Sequence, residues 1–362
     1  MLGTRAFGRR AHKLSSRIRA VEESFLKKAH RVEITVPATT SNLGPGFDCL
    51  SIALNMHNKL VVERADEFSM EVKGEGRWTL SPTEENLIVR STKKALGLME
   101  QEMPPLRFEC YNAVPPRRGL GSSSTAIVAG LAAGLALGGK KLYTPSTKKL
   151  LFGLAAEQEA DAKRMRHARV APAVYGGFQI SFSEGKGHEQ WVTQRVPTPN
   201  GLQMVLFIPD DEASTERVRE VLPPDLSYSD VIFNISRASM LVNCFNTGQF
   251  TPLRFAMEDR IHQQHRSKLF PMQEPIIQAA LRAGAHGAFL SGAGPTVVAI
   301  TGGVGIADIG SDTMSQFLAE SVSQAVLAAA DREGVRGSVH IASPSMVGLT
   351  SAGFDSSGRK MW

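Results

Sequence analysis

Pro115-Pro116-Arg117-Arg118-Gly119-Leu120-Gly121-Ser122-Ser123-Ser124-Thr125 runs directly into a small-residue segment, Ala126 to Gly138, and the rest of the chain is organised around this stretch. Gly119 and Gly121 permit turn conformations that side chains forbid, and three serines then offer hydroxyls and amide N–H groups where a helix begins. The first amides of a helix have no internal partner and the macrodipole is positive at that end, so a polyphosphate can be held there largely by backbone. Taken alone, Gly-Leu-Gly-Ser is more often an ordinary serine-capped helix after a glycine turn. Its context favours the phosphate reading: Leu106 to Tyr111 is strand-like, and strand, glycine loop and helix follow one another. No lysine stands where a Walker loop must have one.

The chain has 362 residues, 42% of them hydrophobic, enough for one large domain or two ordinary ones. Its formal net charge is +6, but residues 1–31 hold nine Lys/Arg against two Glu, so the remaining body is near −1. The excess belongs to the tail, and the body offers no basic groove for nucleic acid. Arg5, Arg9, Arg10, Lys13, Arg17 and Arg19 with some serine, no acid before Ala20 and no apolar core resemble an organelle transit peptide. A disordered basic extension on a cytosolic protein is the equal alternative, so the expected compartment is intracellular: a plastid or other organelle in the first case, the cytoplasm in the second. Cys49, Cys110 and Cys244 lie far apart, with neither a disulfide framework nor a zinc pattern. The most apolar run, Ala126 to Gly138, has 13 residues where a bilayer span takes about 20, so it reads as a buried helix and no membrane partner is expected. Gly130, Gly134 and Gly138 give that helix a smooth stripe for close packing.

Val32 to Val36 alternates as a strand that Pro37 is expected to stop. A turn-rich loop, Ala38 to Asp48, then holds Asn42 and Asp48 before a second strand at about Leu54 to Glu63. Phe68 to Lys73 reads as a strand, Glu85 to Met99 as an amphipathic helix, and Thr147 to about Arg164 as a helix whose Glu157, Glu159 and Asp161 would ordinarily form a solvated face. Strands follow at Phe178 to Phe182 and Met204 to Ile208, then helices around Asp230 to Phe245 and Leu253 to Gln264, and an amphipathic one at Met272 to Arg282. Ala288 to Ile300 gives two short strands around a third glycine loop, before a long helix, Asp312 to Arg332, and a closing strand from Val339. Glu258, Asp259, His262 and His265 have the spacing of metal ligands on one helical face, but no further ligand group is implied, and a polar helix is the better reading. Strands and helices interleave without a regular beat, which indicates an α+β chain.

Three glycine-rich loops in this order, Ser41 to Asp48, Gly119 to Thr125 and Leu290 to Thr296, resemble the three motifs of the GHMP small-molecule kinases over residues 32 to 345. The wording is most similar to the homoserine kinase branch: Val36-Pro37-Ala38-Thr39-Thr40-Ser41-Asn42-Leu43-Gly44-Pro45-Gly46-Phe47-Asp48, Ser214-Thr215 with Arg219, and Asp259 to Gln263 leading to Arg266. The resemblance implies a two-lobed fold, with a ribosomal protein S5 domain 2-like lobe at about 31–195 and a ferredoxin-like lobe at about 196–345, flanked by the 1–30 extension and a 346–362 tail. It implies ATP with Mg²⁺: Asn86 at the adenine, Pro116, Arg117, Arg118, Gly119, Leu120, Gly121, Ser122, Ser123 and Ser124 around the phosphates, and Ser123 with Glu159 on the metal. Asn42, Asp48, Thr215, Arg219 and Arg266 would surround L-homoserine, Asp48 near the ammonium and the two arginines on the carboxylate. Such a division suits a free amino acid, which needs a fixed carboxylate and a guanidinium fork. The implied product is O-phospho-L-homoserine, in threonine biosynthesis, and a homodimer is compatible with the reading.

One departure stands out. Where that branch has His-x-Asp-Asn-Val-x-Pro, this chain reads His167-Ala168-Arg169-Val170-Ala171-Pro172, one residue shorter and without the amide. Either Arg169 or a shifted neighbour takes that place, or activity or substrate preference differs. The alternatives are therefore a kinase for another small alcohol, such as mevalonate or a sugar, and a catalytically silent nucleotide-binding relative.

Overall fold

The computed structural model describes residues 28–159, 167–184, 191–213, 217–303 and 311–362. Of the basic extension, residues 1–27 lie outside the described residues, so the transit-peptide reading is not addressed by the structure.

The order is β1 (Arg31–Asn42), β2 (Gly46–Arg64), β3 (Ser69–Gly74), α1 (Leu87–Gly97), β4 (Leu106–Asn112), α2 (Ser122–Leu137) and α3 (Pro145–Glu159). A 3₁₀ turn (His167–Arg169), α4 (Val170–Tyr175), β5 (Phe178–Ser183), β6 (Trp191–Val196), β7 (Leu202–Pro209), α5 (Arg217–Glu220) and α6 (Tyr228–Thr247) follow. The chain continues with α7 (Leu253–Ala256), α8 (Gln263–Arg266), α9 (Gln273–Arg282), β8 (Gly287–Leu290), β9 (Val297–Gly302), α10 (Ser311–Arg332), β10 (Gly337–Ala342) and β11 (Thr350–Phe354).

Among the described residues, seven strands form one sheet in the order β11-β1-β2-β4-β3, with β5 also on β2 and β6 on β5. Val32 and Ile34 of β1, Leu60 and Val62 of β2 and Phe108 of β4 pack against helices α1 to α4. The α2 glycine stripe is read correctly from sequence: a Cβ on Gly130 would stand 2.4 Å from the Ile88 carbonyl and one on Gly134 2.5 Å from that of Thr92, so only glycine lets α1 lie this close. The other sheet, β10-β7-β9-β8, is antiparallel throughout, and its strands β7, β8 and β9 are buried on both faces while the edge strand β10 is partly exposed. Along β7, Met204, Leu206 and Ile208 face the first sheet and α6, while Val205 and Phe207 face α9 and α10. The α+β architecture expected from sequence is the one found.

Three expectations are corrected. β1 does not end at Pro37; it runs on to Asn42, because the proline falls at a register shift against β2 where its missing N–H costs no ladder bond. The helix expected over 253–264 is two single turns, α7 and α8, because the Asp259 carboxylate accepts from the amides of Ile261, His262 and Gln263 and so caps a new start. The segment read as a tail, 346–362, contains β11, which pairs antiparallel with β1 from Arg31↔Phe354 to Thr35↔Thr350.

Candidate active site

The serine loop connects β4 to α2 through Gly119 (φ 79°) and Gly121 (φ 74°). Gly121 is the helix N-cap in the left-handed region, and no side chain caps the helix. A side chain at Gly121 is excluded by that φ and by Thr39, whose Oγ1 lies 2.1 Å from where a Cβ would stand. The first amides of α2 are thereby left to an outside acceptor, with the positive end of the helix behind them. They open onto a cleft of about 350 Å³ lined by Gly119, Gly121, Ser122 and Ser123 at one end and by Leu80, Asn86, Leu87 and Met70 at the other. That gives a polar end fit for phosphates and an apolar end fit for a flat ring.

Glu159, at the end of α3, is only 6% exposed, and its Oε1 accepts from Ser123 Oγ (2.9 Å) and Ser124 Oγ (2.8 Å). It is not part of a solvated face. A carboxylate and a serine hydroxyl at a helix N-terminus are oxygen ligands of the kind magnesium takes in small number, the rest coming from phosphate and water. Among the described residues no three His, Cys, Asp or Glu side chains are gathered as metal ligands, those of Glu258, Asp259, His262 and His265 included.

The three glycine loops meet at one place. Ser291 Oγ donates to the Gly119 carbonyl (2.8 Å), Thr40 Oγ1 pairs with Ser291 Oγ (2.8 Å), the Gly292 amide donates to Ser41 O (2.9 Å) and the Thr39 amide to Leu120 O (3.1 Å). Behind this seam the first loop is strained: Asn42 (φ 75°), Leu43 (φ 48°) and Asp48 (φ 54°) are non-glycine residues in the left-handed region, a cost of about 1–3 kcal/mol each that clusters where function is found. Asn42 is fully buried; its Nδ2 donates to Gly292 O (2.7 Å) and its Oδ1 accepts the Asp48 amide (3.1 Å).

Arg266, 1% exposed, donates through one guanidinium nitrogen to the same Gly292 carbonyl (2.7 Å) and to His262 Nδ1 (3.1 Å). His262 in turn donates from Nε2 to Gly44 O (2.8 Å), so it is the neutral tautomer with Nδ1 as acceptor. Complete burial pulls its pKa down to about 4, with the Arg266 charge acting in the same direction and Asp259 against it. Burial works against the Asp259 carboxylate, yet His262, Asn234 and the amides of α8 hold it below its ordinary value. Phe47 stacks on His262 at 5.1 Å and lies 5.5 Å from the Arg266 guanidinium.

Of the residues expected around the nucleotide, Asn86, Pro116, Arg117, Gly119, Gly121, Ser122 and Ser123 line the cleft. Asn86 also spends its side chain on structure, capping α1 through Ile88 N (3.0 Å) and donating to Ser81 O (2.6 Å). Leu120 and Ser124 are fully buried behind the loop. Arg118 turns away, its Nε donating to Pro209 O (2.8 Å) and its fork to Asp210 O, which ties the serine loop to the end of β7. Of the residues expected around the acceptor, Asn42, Asp48 and Arg266 converge on the far side of Gly292; Thr215 and the side chain of Arg219 lie outside the described residues. Of the cleft residues outside the expected nucleotide and acceptor sets, two are singled out by their chemistry. Asn58 accepts the amides of Ala113 and Val114 (both 2.9 Å) and donates to Thr125 (3.2 Å); a lone Asn within a strand gives no sequence signal. Arg169 is the other, and its signal was the shortened His167–Pro172 motif.

A two-lobed α+β fold with its serine loop at an uncapped helix start, sealed by two further glycine loops, defines the GHMP class of small-molecule kinases. The family models for the GHMP kinases N terminal domain and GHMP kinases C terminal match residues 86–177 and 242–317. A homoserine kinase of Thermosynechococcus vestitus is 39% identical over 267 residues, 74% of this chain and 85% of that one. Another, of Desulfitobacterium hafniense, is 33% identical over 86% of this chain and 97% of its own. The crystal structure of homoserine kinase from Cytophaga hutchinsonii superposes with a TM-score of 0.73 at 25% identity, covering 89% of this chain and 97% of that one. The chain belongs to the homoserine kinase family.

Proposed function

We propose that this chain transfers the terminal phosphoryl group of ATP to the hydroxyl of L-homoserine, giving O-phospho-L-homoserine for threonine biosynthesis. The observation that carries the reading is the serine loop: an uncapped helix start at Gly121, opening into the cleft, with a buried carboxylate 2.9 Å from Ser123. Family membership supplies the acceptor. A kinase for another alcohol, or a silent relative, is not favoured beside curated homoserine kinases that match across most of their length.

In this reading the amides of Ser122 to Ser124 and the backbone of Gly119 to Gly121 hold the phosphates, and Leu80, Leu87 and Met70 flank the base near Asn86. Ser123 and Glu159 would hold Mg²⁺, which supplies charge neutralisation on the phosphates when bound. Asn42 and Asp48 orient the amino-acid acceptor, Asp48 toward its ammonium, and Arg266, together with Arg219 and Thr215, takes its carboxylate and backbone. The chemistry asks for alignment and charge neutralisation more than for a base, and the rigid seam of the three loops supplies the alignment.

The test is a coupled ADP-release assay of the purified chain with homoserine, mevalonate, galactose and shikimate. Turnover with homoserine at least a hundredfold above the others is expected; equal turnover with mevalonate, or none with homoserine, would overturn the reading.

A further inference from the structure

Arg169 closes the 3₁₀ turn ahead of α4 and is only 8% exposed, yet among the described residues its guanidinium has no ion pair and no hydrogen bond, and its Nε is sealed from solvent without a partner. A buried cation left unpaired is costly, and one that lines a cleft is a pre-set receptor for an anion. The turn that carries it is fixed: Ser51, on β2, donates its hydroxyl to the carbonyl of Ala168. The arginine is thus held in place before any ligand arrives.

The position of Gly292 decides which anion. Its carbonyl accepts from Asn42 (2.7 Å) and Arg266 (2.7 Å) on the side where the acceptor residues gather. Its α-carbon meets a different set of groups: a Cβ there would lie 3.1 Å from Gly119 O, 3.2 Å from Ser41 Oγ and 3.6 Å from a terminal nitrogen of Arg169. Arg169 lines the same cleft as Gly119, Gly121, Ser122 and Ser123, whereas Asn42, Asp48 and Arg266 do not line it. The two arginines therefore flank the third loop from opposite sides, one among the phosphate-binding backbone and the other among the acceptor-binding side chains.

We propose that Arg169 is a catalytic residue that pairs with the terminal phosphoryl group of the nucleotide, discriminating triphosphate from diphosphate and neutralising charge on that group during transfer. The proposal deepens the kinase reading and rests on it. Arg169 makes and breaks no covalent bond. The bond from the γ-phosphorus to its bridging oxygen breaks with its electron pair leaving on ADP, a bond from the acceptor hydroxyl oxygen to that phosphorus forms, and the hydroxyl proton passes to water.

The experiment is a calorimetric titration of wild type, Arg169→Gln and Arg169→Lys with ADP and with the non-hydrolysable triphosphate AMPPNP, each with Mg²⁺, alongside steady-state kinetics and melting curves. For Arg169→Gln, AMPPNP affinity is expected to fall about tenfold while ADP affinity changes less than twofold, the loss of one charge-assisted contact. Its kcat is expected to fall about a hundredfold with KM for homoserine little changed, and Arg169→Lys to fall between the two. The melting temperature should hold or rise, because an unpaired buried charge is removed. Equal loss of ADP and AMPPNP affinity, no loss of either, or a rise confined to KM for homoserine would each overturn the assignment. So would a melting-temperature drop in both variants, which marks a structural residue. The nucleotide titrations need no acceptor, so if wild type failed to phosphorylate homoserine the kinase reading would fall while the Arg169 measurement still returned its own answer.

Discussion

The two sides of Gly292 are built on different principles. On the cleft side the groups proposed to meet the phosphates are backbone amides of a helix start, offered without a side-chain cap, with one carboxylate nearby and one guanidinium that is unpaired among the described residues. On the other side the groups are side chains from distant segments, Asn42 from β1 and His262 and Arg266 from around α8, already tied to their neighbours by hydrogen bonds, with Asp48 of β2 held to Asn42 through its backbone amide. A polyphosphate presents many equivalent oxygens, and repeated backbone donors suit it. An amino-acid acceptor presents one cation, one anion and one hydroxyl in fixed geometry, which only individually placed side chains can match.

The cleft side breaks most completely at Glu159. Glu159→Gln keeps the shape and still accepts from Ser123 and Ser124 but removes the negative charge. With the carboxylate on Mg²⁺, kcat should fall about a thousandfold, roughly 4 kcal/mol of barrier, while ADP still binds in the absence of metal. Near-wild-type turnover at saturating Mg²⁺ would detach Glu159 from the metal.

On the other side the largest loss belongs to Arg266. Its guanidinium reaches Gly292 O and His262 Nδ1 through one terminal nitrogen and Val218 O through Nε, a planar set of donors that a lysine ammonium cannot reproduce together. Arg266→Lys should lower kcat/KM for homoserine roughly ten- to a hundredfold, one charge-assisted hydrogen bond being worth about 1.5–3 kcal/mol, and leave AMPPNP binding within twofold. A variant that loses nucleotide affinity as much as homoserine turnover would erase the distinction between the two sides.

The same division explains what could be read before any coordinates. The serine loop and the glycine stripe of α2 are local patterns, in which consecutive residues or a four-residue spacing carry the geometry, and both were legible. Glu159 was not distinguishable from Glu157 by spacing, since burial of one and exposure of the other depend on how α3 meets α2. Only the family wording singled it out. Pro37 misled because a proline ends a ladder unless a bulge receives it, and the bulge is set by the partner strand. The break between α7 and α8 was hidden because Asp259 reads as one more polar residue of a helix until its carboxylate is seen to cap the next turn. β11 is five residues with little apolar pattern, and its place on β1 is fixed by contacts more than 300 positions away in sequence.

The smallest expected effect on turnover is at His262, and it tests how far the acceptor side is already complete without a ligand. His262 is fully buried and neutral, accepting from Arg266 and donating to Gly44 O. Its folded-state pKa of about 4 lies below the ordinary 6.5, so between these values the unfolded chain binds a proton that the folded one refuses. Stability from this residue is therefore fully present above about pH 6.5 and is lost as pH falls toward 4. The Asp259 carboxylate, held below its ordinary value of 3.8, adds its own loss only at lower pH, so the two windows separate. Gln at 262 can still offer an oxygen to Arg266 but has no proton to take up. His262→Gln should thus change kcat/KM for homoserine at pH 7.5 only a few-fold, while urea unfolding between pH 4 and 6.5 loses most of the slope seen in wild type. If the slope persists in the variant, protonation of His262 is not what loosens the fold in acid. Arg266 would then owe its position to Gly292 alone, and the acceptor side would be less tightly assembled in the absence of a ligand than its hydrogen bonds indicate.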